Sequence, residues 1–137
     1  MKVFIASPWR NKLAVEALSE ALMKRGMEVH SYLQSGANLS TGLSVVEELR
    51  VFNEALADWT KNEKIKQIFD EELRGLKGSD LLVLLQPAGR SSLIEAGIAY
   101  GLGKKVISIG PIEKPDVFYL ICEALYPDVD SFLKALA

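Results

Sequence analysis

Ser79-Asp80-Leu81-Leu82-Val83-Leu84-Leu85-Gln86-Pro87-Ala88-Gly89-Arg90-Ser91-Ser92-Leu93-Ile94-Glu95-Ala96-Gly97 is the stretch that decides the fold. Its run Leu81 to Leu85, bounded by polar and turn-forming residues, reads as a strand buried on both faces, as in a parallel sheet. The loop Gln86 to Ser92 then delivers Glu95 into the first turn of an apolar helix, beside backbone N–H groups that a helix start leaves unpaired. α/β proteins commonly bind phosphorylated ligands at such a junction.

Outward from this centre, strand and helix patterns alternate. Lys2 to Ala6 is a strand closed by Ser7-Pro8. Between Asn11 and Arg25, Ala14, Ala17, Leu18, Ala21 and Leu22 recur at helical spacing, with Gly26 as the stop signal. Glu28 to Leu33 returns to a strand pattern, and Gln34 to Gly42, rich in Ser, Gly and Asn, reads as loop. Helices are expected over about Ser44–Ala57 and Glu63–Leu76, the second capped by Thr60 or Asn62 and loosened at its end by Gly75 and Gly78. Beyond the central strand come a helix from about Ser92 to Leu102, a strand Lys105 to Ile109 and a helix starting near Pro115. Leu125-Tyr126 is a minimal fifth strand, and Asp130–Leu136 a closing helix.

This alternation predicts an α/β three-layer sandwich with a parallel sheet of four to five strands, flavodoxin-like in its order 2-1-3-4-5. Ligands then bind outside the carboxyl ends of the first and third strands, where the order reverses. Two loops meet there, Ser7-Pro8-Trp9-Arg10-Asn11 and Gln86 to Ser92.

Bulk properties agree with a small-molecule protein. The 137 residues, 49% of them hydrophobic, suit one domain over 1–137. Sixteen basic and 18 acidic side chains, dispersed to a net charge of -2, leave no footprint for a nucleic-acid polymer. One cysteine and one histidine cannot supply an ordinary zinc site or an internal disulfide, so no metal and no cofactor are expected. No apolar run approaches the ~20 residues of a membrane span, and the N-terminus enters a strand without a leader pattern; the cytoplasm is the expected compartment.

The converging loops carry Arg10 and Arg90, the hydroxyls of Ser7, Ser91 and Ser92, the amides of Asn11 and Gln86, the Gly89 backbone and the Trp9 ring. Such a set suits an anion, a sugar and a flat base, and the helix start favours a phosphate. Glu95 has two readings. Ser92-Leu93-Ile94-Glu95 has capping-box spacing, in which Glu95 accepts the cap residue's N–H; alternatively its carboxylate attacks the anomeric carbon of a sugar and forms a glycosyl-enzyme intermediate.

Ile5 to Asn11, Leu56-Ala57-Asp58-Trp59, Pro87 to Gly97 and Gly101-Leu102-Gly103-Lys104-Lys105-Val106 together resemble the nucleoside 2-deoxyribosyltransferase superfamily. The likeness is to its short bacterial and phage members and, more distantly, to 2'-deoxynucleoside 5'-monophosphate N-glycosidases. It covers nearly the whole chain and implies a flavodoxin-like fold, Glu95 as nucleophile, Ser91 and Ser92 at the 5'-phosphate, and Ser7, Trp9, Arg10 and Asn11 at base and phosphate. It also implies a homodimer or higher homo-oligomer, with Tyr100 and Tyr119 as interface candidates. Two departures matter. Glu72 stands where many members have an aspartate that orients sugar or base, and the aspartate that the transferases carry just before the nucleophile is missing from Gly89 to Ile94.

The expected activity is therefore hydrolysis of the N-glycosidic bond of a (deoxy)nucleoside 5'-monophosphate, with Glu95 catalytic and Glu72 a candidate acid or ribose contact. Base exchange between nucleosides, a silent nucleotide-binding module and a glycohydrolase of nicotinamide dinucleotides are the alternatives. Asp80 reads as structural. Gly101 and Gly103 read as helix termination, Trp59 as a packing anchor, His30 as ordinary packing and Cys122 as a small hydrophobe on its helix.

Overall fold

The computed structural model describes residues 1–33, 50 and 52–136. The loop expected over Gln34 to Gly42, and most of the helix expected over Ser44–Ala57, lie outside the described residues; 50 and 52–55 are helical. Five parallel strands form one sheet: β1 (Lys2–Ala6), β2 (Glu28–His30), β3 (Leu81–Leu85), β4 (Lys105–Ile109) and β5 (Ala124–Tyr126), in the order β2-β1-β3-β4-β5. The predicted order 2-1-3-4-5 is the observed one. Helices α1 (Lys12–Met23), α2 (Glu63–Gly78), α3 (Arg90–Gly101) and α4 (Val129–Ala135) complete the sandwich.

The alternation of side chains along each strand divides the core in two. Val3, Ile5, Leu81, Val83, Leu85, Ile107 and Ile109 pack with Val15, Leu18 and Leu22 of α1 and Phe132 of α4. On the opposite face Phe4, Ala6, Leu82, Leu84 and Val106 meet Leu76 of α2 and Ala96 and Ala99 of α3. All five residues of β3 are buried, as a strand covered by helices on both sides requires. Truncating one such leucine to alanine costs ~2–5 kcal/mol.

Several local expectations change. The buried stripe of α1 is Val15, Leu18, Ser19 and Leu22, while Ala14 and Ala17 are exposed. β2 stops at His30. Asn62, not Thr60, caps α2 by accepting the Ile65 N–H at 3.2 Å. That helix runs through Gly75 to Gly78, so Gly75 does not loosen it. The helix expected near Pro115 is a 3-10 turn, Val117–Ile121, capped by Asp116, and Cys122 ends that turn half-buried. Trp59, expected as a packing anchor, is 62% exposed at the end of a 3-10 turn, Leu56–Asp58. At Gly103 the expected helix termination holds: φ is +77°, where a Cβ would be strained.

Candidate functional site

The two predicted loops meet at the carboxyl ends of β1 and β3, tied by hydrogen bonds between residues 76 and 78 positions apart. Ser7 Oγ donates to the Leu85 carbonyl at 3.0 Å, and Asn11 Nδ2 donates to Ser7 Oγ at 2.9 Å and to the Pro87 carbonyl at 3.1 Å. These side chains hold the junction closed. Gln86 is likewise committed: its Nε2 donates to Ser108 Oγ and Tyr119 Oη, and its Oε1 accepts the Ala88 N–H. Expected to touch a ligand, Asn11 and Gln86 instead fix the loops and do not line the cavity between them. Tyr119, expected at an interface, is half-buried with its hydroxyl on Gln86.

That cavity has a volume of about 410 Å³. Its walls bring together Ser7, Trp9 and Arg10 from the first loop, Gly89, Arg90, Ser91 and Ser92 from the second, and the carboxyls of Glu72 and Glu95. Arg10, Arg90 and Ser91 are exposed at this wall, whereas Ser92 is buried. Trp9 lies against Tyr32, ring centroids 4.5 Å apart and tilted by 37°, and its buried Nε1–H has no acceptor among the described residues. Tyr32, Phe52, Asn53 and Ile68 also line the cavity. Sequence reasoning missed them because they come from segments with no motif of their own.

The capping reading of Glu95 does not hold. The cap is Gly89, whose N–H donates to Ser92 Oγ at 3.3 Å, and α3 begins at Arg90. Glu95 thus sits in the second turn, beyond reach of the cap N–H. One earlier start changes its task. The free helix N–H groups are those of the first turn, from Arg90 onward, and they border the same cavity.

Glu95 faces Glu72 across the space between α2 and α3. Burial, then the charge of Glu72, then a hydrogen bond with Glu72 push the Glu95 carboxyl up from its ordinary 4.5 to about 9. Two carboxylates cannot donate to each other, so the hydrogen bond exists only while the pair holds a proton. Without it, Glu72 Oε1 is buried and has no donor among the described residues. The Glu95 carboxyl therefore keeps its proton through neutral pH, in hydrogen-bond reach of Glu72. Within the run Asp70-Glu71-Glu72, Asp70 is exposed, while Glu72, the candidate acid or ribose contact, is half-buried on the cavity wall.

On the far side of α3 a larger hollow, about 710 Å³, is lined mainly by Leu84, Leu93, Ala96, Tyr100, Phe118 and Ile121. Lys114 and Asp116 are the charged residues of its lining, and it holds no pair of carboxyls. No group of three or more metal-binding side chains occurs among the described residues, and no helix there is long and apolar enough to cross a membrane.

No family sequence model matches the chain, and no curated protein matches it. Solved structures do share its fold. A 2-deoxyribosyltransferase from Bacillus psychrosaccharolyticus aligns with a TM-score of 0.66 at 18% identity, covering 97% of this chain and 90% of that one. The CMP N-glycosidase BcmB of Clostridium botulinum aligns at 0.55 and 18% identity, covering 99% and 98%. A conserved protein from Enterococcus faecalis aligns at 0.65 and 14% identity, covering 98% and 95%. The first two are enzymes of the kinds that the sequence resembles.

Proposed function

We propose that this chain is an N-glycosidase that hydrolyses a nucleoside 5'-monophosphate in the cytoplasm, with Glu95 as nucleophile. The observation that carries the reading is the half-buried Glu72–Glu95 pair opening into a cavity rimmed by two arginines and a helix N-terminus. The proton held by Glu95 passes along their hydrogen bond to Glu72, and the freed Glu95 oxygen attacks C1' as the C1'–N bond breaks. The bonding electron pair leaves on the base nitrogen, which takes the proton from Glu72. Water then adds at C1', the ester bond to Glu95 breaks, and the water's proton passes to Glu72. Arg10, Arg90, Ser91, Ser92 and the first N–H groups of α3 hold the phosphate. Trp9 packs along the base, and its indole N–H offers a donor.

The likeness to a 2-deoxyribosyltransferase supports a second reading, base exchange, in which a second base replaces water at the intermediate. One assay separates the readings: a panel of nucleosides and 5'-monophosphates is scored for free base, with and without a second base, beside Glu95→Gln and Glu95→Ala. Hydrolysis releases base from monophosphates in preference to nucleosides, exchange produces the new nucleoside without net base, and binding without release overturns both. Exposed Tyr100, Phe118 and Leu120 support the homo-oligomer that belongs to this reading, measured by light scattering.

A further inference from the structure

His30, the one histidine of the chain, closes the far end of the acid pair. It stands at the end of β2, and its ring stacks on Phe4 of β1 with centroids 5.0 Å apart and planes 17° from parallel. Its Nε2 lies 3.7 Å from Glu72 Oε2, and the two side chains are 16% and 17% exposed. Nε2 has no hydrogen-bond partner among the described residues, and at 3.7 Å it is poised beside Glu72 rather than bonded to it. The ring fits there because residue 75 of α2 is glycine: a Cβ at Gly75 would fall 2.6 Å from His30 Nε2. Thus β1 presents the Phe4 ring, α2 presents Glu72 and the bare Gly75, and the next carboxyl beyond Glu72 is Glu95 of α3.

Ordinary packing does not account for this arrangement. A ring needed only to fill space between Phe4 and Gly75 has no reason to direct a nitrogen toward a buried carboxyl, where an unpaired N–H is a cost. We propose that His30 is a positioning residue for the acid pair. Resting on the reading of Glu72 as the proton donor, its Nε2 edge fixes the Glu72 carboxyl and steadies the negative charge left when the proton goes to the departing base. His30 is outside the cavity lining, and its own proton count is the same before and after the step. A charge formed in a water-poor place gains most from a donor already in position.

Because there is one imidazole, its NMR signals report this contact without assignment and without substrate. The ring nitrogen signals of the full-length protein and of Glu72→Gln are compared at one fixed pH. A carboxyl beside Nε2 favours the tautomer that carries its proton there, so the Nε2 signal moves in Glu72→Gln. Unchanged ring signals overturn the proposal, whether or not any nucleotide is cleaved; base release that fails while the signals do move counts against the glycosidase reading alone. For a cleaved substrate, His30→Gln and His30→Phe separate donor from shape. His30→Gln, which keeps an N–H near Nε2, retains most of kcat, while His30→Phe loses about tenfold in kcat with KM within twofold, and its alkaline limb moves. A His30→Phe protein with parental kcat and pH profile overturns the proposal.

Discussion

Asp80 and Glu95 lie near opposite ends of the sheet, and the comparison shows what makes a carboxylate structural. Asp80, at the amino end of β3, is exposed, accepts the Lys2 N–H on Oδ2 at 2.8 Å and donates its own N–H to the Lys2 carbonyl at 2.8 Å. It ties β3 to β1 where the sheet begins. Glu95, at the carboxyl end, is half-buried and set against another acid, and among the described residues no cation offsets the rise of its carboxyl. A carboxylate supplied with donors is content in one state; a carboxyl pair denied them must exchange a proton to react.

The sharpest way to break that contrast is to neutralise the buried member. Glu95→Gln keeps size and removes the nucleophile, so base release falls at least about 10³-fold, equivalent to about 4 kcal/mol of barrier. A variant retaining a tenth of parental turnover sinks the assignment. Glu72→Gln, which can still donate an N–H but cannot give up a proton, falls about 10²-fold, within the usual range for a lost acid–base group. Its loss is smaller for substrates whose base leaves readily without protonation, and a panel of leaving groups checks this.

The same pair leaves a signature in stability. Because the folded protein holds the Glu95 proton up to about pH 9 and the unfolded chain releases it near 4.5, the contribution is complete below pH 4.5 and is lost as pH rises toward 9. Thermal melting of the parent therefore falls between pH 5 and 9, and Glu95→Gln, with nothing to ionise there, is flatter. The expected gap at pH 9 is at least about 3 °C in favour of the variant, given that ~1 kcal/mol moves the midpoint of a domain this size by a few degrees. Parallel melting curves for the two proteins across that range contradict the buried pair. Turnover follows the same protons: kcat/KM falls above about pH 9 as the shared proton is lost.

Much of this was legible in the sequence because its signals were local and repeated. The five apolar residues of β3 and the alternation around them gave strand type and order, and the loops Ser7–Asn11 and Gln86–Ser92 were found where the chain reverses direction across the sheet. Two kinds of information were hidden. The start of α3 moved from Ser92 to Arg90, because a glycine backbone can take the extended cap conformation that hydroxyl residues usually signal, and this carried Glu95 from a cap to a cavity. The inward turn of Glu72 and the approach of His30 depend on how α2 lies over β1 and β2, which no spacing within α2 encodes. Asn11 and Gln86 were the converse: polar residues in the right loops whose hydrogen bonds are spent on holding those loops together.

The smallest expected effect completes the comparison. Asp80→Asn removes the charge from the strand tie while leaving an oxygen able to accept the Lys2 N–H, so the loss is the difference between a charge-assisted and a neutral hydrogen bond, about 1 kcal/mol or less at an exposed position. Melting drops by no more than a few degrees. Base release per folded molecule stays within twofold of the parent, since the sheet's opposite end is held by Ser7 and Asn11 rather than by Asp80. If Asp80→Asn instead lowered turnover as deeply as Glu72→Gln, the two ends of the sheet would be mechanically coupled. The division between a structural acid and a chemical pair would then fail.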